Sequence, residues 1–281
     1  MAAGEREKAV VIFDYSGTLS IDAVRFAEPA FLMAELKESG LYDCGVRTVE
    51  EFWKKIVDST WETASATNIG YAAAIAKAVR EQFHSGASEE KIIDASGRFA
   101  GRYMAASVIA DEWAPLLTVL RDDPLTCPVI ATDHYAELTD VVIDELNRLN
   151  IPALRALDVS LKNGRNAFIV ANSADLGAPK ASLAFWDRLA GSSVPSNPRA
   201  VIAIDDFGVN EVPGADYGEE AKTARRQEKT REVLNRAFGT PAALIPFIIG
   251  PQERDDRLRI GNLIYAASIQ ASKILFPKSY A

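Results

Sequence analysis

The chain has 281 residues, 48% of them hydrophobic and 25% charged, with a net charge of -8. These globular-average fractions exclude a collagenous, low-complexity or mostly disordered protein, and the length allows one large domain or a domain carrying an insertion. The acidic balance argues against nucleic acid as a partner, and the longest apolar runs, such as 242–250, fall short of the ~20 residues that span a membrane.

The opening residues mix charges and lead straight into a strand, so no signal peptide is expected. Cys44 and Cys127 are too few for a disulfide framework or a zinc site, and the expected compartment is a reducing cytoplasm. Residues 9–15 (AVVIFDY) form a short apolar, β-branched run that ends in Ser16-Gly17. Continuous apolar character suits a strand of a parallel sheet buried on both faces.

From about 27 to 120 the pattern changes to a series of helices, over 28–37, 49–60, 70–82, 88–104 and 111–120. Ser88, with Lys91 three residues on, and Asp111 before Trp113 read as helix starts. Apolar runs return at 128–132, 167–171 and 201–204, with helical patterns at 138–149 and 181–189 between them. Residues 191–198 read as a surface loop. The remainder is helical over 219–237 and 262–275, and the apolar segment 242–249 reads as a further strand. Strands alternating with helices imply an α/β fold, a Rossmann-like doubly wound parallel sheet, here interrupted after its first strand by a helical insertion. The expected division is a core of 1–25 and 108–281 and a helical domain of 26–107.

Ligands of open α/β sheets bind at the carboxyl ends of the strands. The residues at those positions are Asp14 to Leu19, then Thr132-Asp133-His134, then Asp205 to Glu211, with Lys180 at a helix start. Asp14 and the pair Asp205-Asp206 make a hard-oxygen set suited to Mg2+. Lys180 and the metal would neutralise a phosphoryl group, and Thr132 with the Gly17 and Thr18 backbone amides would hold its oxygens. Asp14 would then attack phosphorus as a covalent nucleophile.

This set resembles the four motifs of the haloacid dehalogenase-like superfamily. The family's Asp-x-Asp-Gly-Thr-Leu reads Asp14-Tyr15-Ser16-Gly17-Thr18-Leu19 here. The strand ending in Thr or Ser is VIA-Thr132, the lysine is Lys180 in GAPKASLAFW, and the acidic pair stands in IAIDDFGVNE. The likeness covers residues 9–25 and 110–215, and the helical block stands where that family inserts a cap domain. The resemblance implies Asp14 as nucleophile and a metal held by Asp14, the Ser16 carbonyl and Asp206. Asp205 and Asn210 would support it, as would Gly17 and Thr18. It implies a hydrolase acting on a small phosphorylated or phosphonate substrate.

One position departs from the family's phosphatases. They carry an acid/base Asp two residues after the nucleophile, where this chain has Ser16, whose hydroxyl has no useful pKa near neutrality. Asp133 and His134 are the nearest candidates for a replacement, although His134 also reads simply as a polar helix-start residue. Two other readings stay open. One is a phosphonatase-type C–P hydrolase, whose Schiff base would need a neutral lysine among Lys37, Lys54, Lys55, Lys77 and Lys91. The other is a binding or regulatory protein with little turnover.

Overall fold

The computed structural model describes residues 8–84, 86–159, 167–210, 220–250 and 256–277. Six parallel strands form one sheet: β1 (Ala9–Phe13), β2 (Thr126–Thr132), β3 (Ala153–Arg155), β4 (Phe168–Asn172), β5 (Ala200–Asp205) and β6 (Ala242–Pro246). Their spatial order is β3-β4-β2-β1-β5-β6, so the chain winds outward from β1 in both directions. Phe13 lies beside Ile130 of β2 and Ile204 of β5. That register brings the carboxyl ends of the three central strands to one edge.

Both faces of the sheet are covered. Ala9, Val11 and Phe13 pack with Trp113, Leu117, Leu138 and Val142 on one side, joined by Ile264 and Ala271 of the helix Arg257–Leu275. Val10 and Ile12 pack with Leu176, Phe185, Trp186 and Phe238 on the other. Because successive strand residues point to opposite faces and both are buried, the central strands carry continuous apolar runs rather than alternating ones. This is a three-layer, Rossmann-like α/β arrangement.

Between β1 and β2 the chain is helical, and its longest helices are Pro29–Ser39, Tyr71–Gln82 and Glu89–Ala106. These bury a separate cluster that includes Leu36, Phe52, Ile75, Val79 and Phe99. Ser88 caps the last of the three by accepting the Lys91 N–H, as its position predicts. Asp111 makes no cap bond. It opens a 3-10 turn, Asp111–Trp113, ahead of the helix Ala114–Asp122, and its carboxylate pairs with Arg148 instead.

The differences from the expected elements have local causes. The first strand stops at Phe13, because the Asp14 N–H makes the last bond to β5 and Tyr15 turns inward, its hydroxyl donating to the Ser107 carbonyl. The helix expected over 49–60 is π-helical from Phe52 to Val57. Residues 191–198 are no plain surface loop, since Val194 is buried in the cluster that holds Trp186. No helix among the described residues is long and apolar enough to cross a membrane. Both cysteines are buried and neither is in a disulfide, and burial pushes the Cys127 thiol up to about 12.

Candidate active site

The strand order reverses at β1, the kind of switch point where open sheets form a crevice. Asp14 leaves the end of β1 there, and Asp205 and Asp206 leave the end of β5. The three carboxylates are buried and offer oxygens within 4.8 Å of one another. Lys180 reaches in from the far side of β2. Its Nζ donates to Asp14 Oδ1 at 2.5 Å and to Asp205 Oδ2 at 2.8 Å. Burial works to strip the proton from Lys180, but the fields of Asp14, Asp205 and Asp133 outweigh it and hold the ammonium well above its ordinary pKa. Lys180 is therefore a fixed positive charge at neutral pH.

The lysine's own backbone is held at both ends. Its N–H donates to Asp133 Oδ1 at 2.7 Å, and its carbonyl accepts from Trp186 Nε1 at 2.8 Å. The Trp186 contact carries no sequence signal, since an indole in an apolar helix reads as core. Thr132, buried at the end of β2 beside Asn172, completes the edge.

The turn after β1 is shaped by its partners. Gly17 has φ +80°, and a Cβ there would stand 2.5 Å from Asp206 Oδ2. Thr18 Oγ1 donates to Asp14 Oδ2 at 3.4 Å and accepts the Asp206 N–H at 3.1 Å, so one hydroxyl ties the two acidic segments together. The expectation that the Gly17 and Thr18 amides cradle phosphate is not met. The Gly17 N–H is spent on Ser20 O (2.8 Å) and the Thr18 N–H on Tyr15 O (3.2 Å), because the turn closes on itself. Among the described residues, the N–H groups of Tyr15 and Ser16 have no such partner. Gly17→Ala is expected to cost about 1–2 kcal/mol from the left-handed backbone alone, and to displace Asp206. Urea unfolding together with Mg2+ titration by calorimetry would check it; parent-like values in both would show that the turn tolerates a side chain.

The acidic loop is equally determined. Asp206 accepts from Gly208 N–H at Oδ1 (2.8 Å) and Asn210 N–H at Oδ2 (3.1 Å), and Asp205 Oδ1 accepts from Phe207 N–H (2.6 Å). Phe207 turns the chain back at φ +52°, a left-handed conformation that bulky residues rarely adopt. Asn210 does more than support the acidic pair. Its Nδ2 donates to Gly17 O (2.6 Å) and Phe247 O (2.8 Å), and its Oδ1 accepts from Ile249 N–H (2.7 Å). Glu211 lies outside the described residues.

The two acid/base candidates separate. His134 turns away from the carboxylates toward the helical segment. Its Nδ1 accepts the Tyr135 N–H (2.9 Å), which leaves Nε2–H to donate to the Tyr103 hydroxyl (2.9 Å), and the ring stacks on Tyr103 with centroids 5.5 Å apart. Burial holds its pKa down from 6.5 to about 3, so it stays neutral. Since the folded pKa is depressed, this neutral state contributes stability fully above pH 6.5, and the contribution is lost as pH falls toward 3. The slope is about 1.4 kcal/mol per pH unit across that window. Urea midpoints measured from pH 4 to 7 should fall more steeply for the parent than for His134→Asn, and parallel curves would refute this burial.

The five lysines of the helical segment do not meet the Schiff-base requirement. Lys54 pairs with Glu50, Lys55 with Glu51 and Lys91 with Asp43, and Lys37 and Lys77 are exposed. None is buried in an apolar site.

The donor set at Asp14 fits a divalent cation. Three buried carboxylates converge there, and all the donors are hard oxygens of the kind Mg2+ takes. Compared with protein-family models, curated proteins and solved structures, the chain matches none.

Proposed function

We propose that this chain is a Mg2+-dependent hydrolase of the haloacid dehalogenase-like superfamily. It would cleave small phosphoric monoesters through an aspartyl phosphate on Asp14, in a cytoplasmic setting, with residues 26–107 as its cap. The observation that carries this reading is the Lys180 ammonium seated between Asp14 and Asp205, beside Asp206, at the carboxyl ends of the central strands. Asp14, the Ser16 carbonyl and Asp206 would hold the metal. Bound there, Mg2+ would draw off charge from the phosphoryl oxygens and orient the ester.

The chain's own residues do the rest. Lys180 holds Asp14 in place, and its fixed charge offsets the charge that develops on the phosphoryl group. The Tyr15 and Ser16 N–H groups and the Thr132 hydroxyl would donate to the phosphoryl oxygens. Thr18 holds Asp14 Oδ2, so that the carboxylate meets phosphorus in one orientation. The C–P hydrolase reading loses its support, since none of the five lysines is buried in an apolar site.

The test is release of inorganic phosphate from a panel of phosphorylated and phosphonate metabolites. It is run with Mg2+ and with EDTA, on the parent and on Asp14→Asn. Mg2+-dependent release abolished by the substitution supports the reading and names the substrate class. If the parent releases no more phosphate than Asp14→Asn across the panel, the chain is a ligand-binding relative instead.

A further inference from the structure

We propose that Asp133 is the catalytic acid/base of this site, the carboxyl that gives and recovers the proton for which Ser16 has no group. The inference rests on the phosphohydrolase reading above. Ser16 contributes nothing to proton transfer: its Oγ is buried without a hydrogen-bond partner in the described structure. Asp133 directly follows Thr132 at the end of β2, and its Oδ1 is fixed by the backbone N–H of Lys180, the residue that holds Asp14. It thus sits between the residue that would bind the phosphoryl oxygens and the residue that would neutralise them.

The neighbouring acids are engaged elsewhere. Glu137 accepts the Tyr71 N–H with both oxygens (2.7 and 2.8 Å), and Asp175 accepts from Thr139 (2.8 Å) and faces Arg155 (3.4 Å). Asp14 and Asp205 hold Lys180. His134 is held neutral by burial, and both its ring nitrogens are taken up by Tyr135 and Tyr103. The groups facing Asp133 are Lys180 from the turn after β4, Asp205 from β5 and Ser173 from the end of β4. Burial raises its carboxyl above the ordinary aspartate value and Asp205 adds to this, while Lys180 and the bond from its N–H pull the other way; the net shift is upward. A carboxyl that retains its proton further toward neutrality is what an acid/base role needs.

The steps balance. Asp14 attacks phosphorus, the bond from phosphorus to the leaving oxygen breaks, and Asp133 gives that oxygen its proton. Water then attacks the same phosphorus and returns a proton to Asp133, while the bond to Asp14 breaks. The sum is ester plus water to alcohol plus phosphate, with Asp133 protonated at both ends.

Asp133→Asn keeps the acceptor for Lys180 and removes the proton. Turnover of an alkyl monoester from the panel should fall about 100- to 10,000-fold. With p-nitrophenyl phosphate, whose leaving group needs no proton, the burst of nitrophenolate should survive and phosphorylated enzyme should accumulate, since water then lacks its base. Independently of turnover, 13C NMR of aspartate-labelled, metal-free parent should show the Asp133 carboxyl titrating above the ordinary carboxylate range. Loss of the nitrophenolate burst, no loss on the alkyl ester, or an ordinary titration would each overturn the role of Asp133 while leaving the parent's phosphoenzyme intact. Absence of phosphoenzyme in the parent would instead overturn the hydrolase reading, and this role with it.

Discussion

Lys180→Met is expected to destabilise the metal-free protein by about 3–5 kcal/mol, the usual cost of removing one partner from a buried charge cluster. Lys180 is the ammonium in contact with Asp14 and Asp205, and Asp206 lies within the same carboxylate cluster. Methionine fills similar volume, so the loss is electrostatic rather than a cavity. Without Lys180, protons or a cation would relieve the repulsion within the cluster. Excess Mg2+ should therefore stabilise the variant more than the parent in urea titrations, and the variant should gain relative stability as pH falls toward 4. A variant as stable as the parent in EDTA would mean that the cluster is already protonated or solvated, and the charge argument would fail.

Asn210→Ala carries the second large effect. The amide joins the turn after β1, the loop after β5 and the segment after β6, and it is itself buried. Truncation orphans the Gly17 and Phe247 carbonyls and the Ile249 N–H, each at about 1–3 kcal/mol if no water enters. A loss of several kcal/mol is expected. Asn210→Asp should be worse than its shape suggests, since it sets a carboxylate oxygen against two carbonyl oxygens beside Asp206. Two carbonyls on one atom and an N–H on the other fix the amide's orientation, so the aspartate comparison is sharp. Denaturant unfolding of both variants checks this, and a loss under about 1 kcal/mol for alanine would show that the three loops hold without Asn210.

The parts of this site that the sequence announces are those set by local pattern. Apolar runs buried on both faces mark β1, β2, β4 and β5, and the polar residues that follow each run are at the sheet edge by necessity. What stays hidden depends on contacts between distant segments. β3 is three half-buried residues ending in Arg155, too short and too polar to show an apolar run. Tyr135 gives no sign that its ring leaves the sheet's loops to stack on Tyr71, centroids 4.0 Å apart, within the core of the helical segment. The same blindness hid the bonds of the Asn210 amide and the grip of Trp186 on Lys180. The closure of the Gly17 and Thr18 amides on Ser20 and Tyr15 is local, but it follows from the exact conformation of the turn, which residue types alone do not give.

The reaction proposed for this site phosphorylates Asp14. Its most direct test is mass spectrometry of rapidly quenched protein after incubation with Mg2+ and p-nitrophenyl phosphate or acetyl phosphate, with borohydride reduction to mark the acyl phosphate. The predicted result is a Mg2+-dependent adduct on the peptide that holds Asp14, lost with EDTA and absent from Asp14→Asn. Phosphate release without an adduct, or turnover that survives Asp14→Asn, would contradict the account.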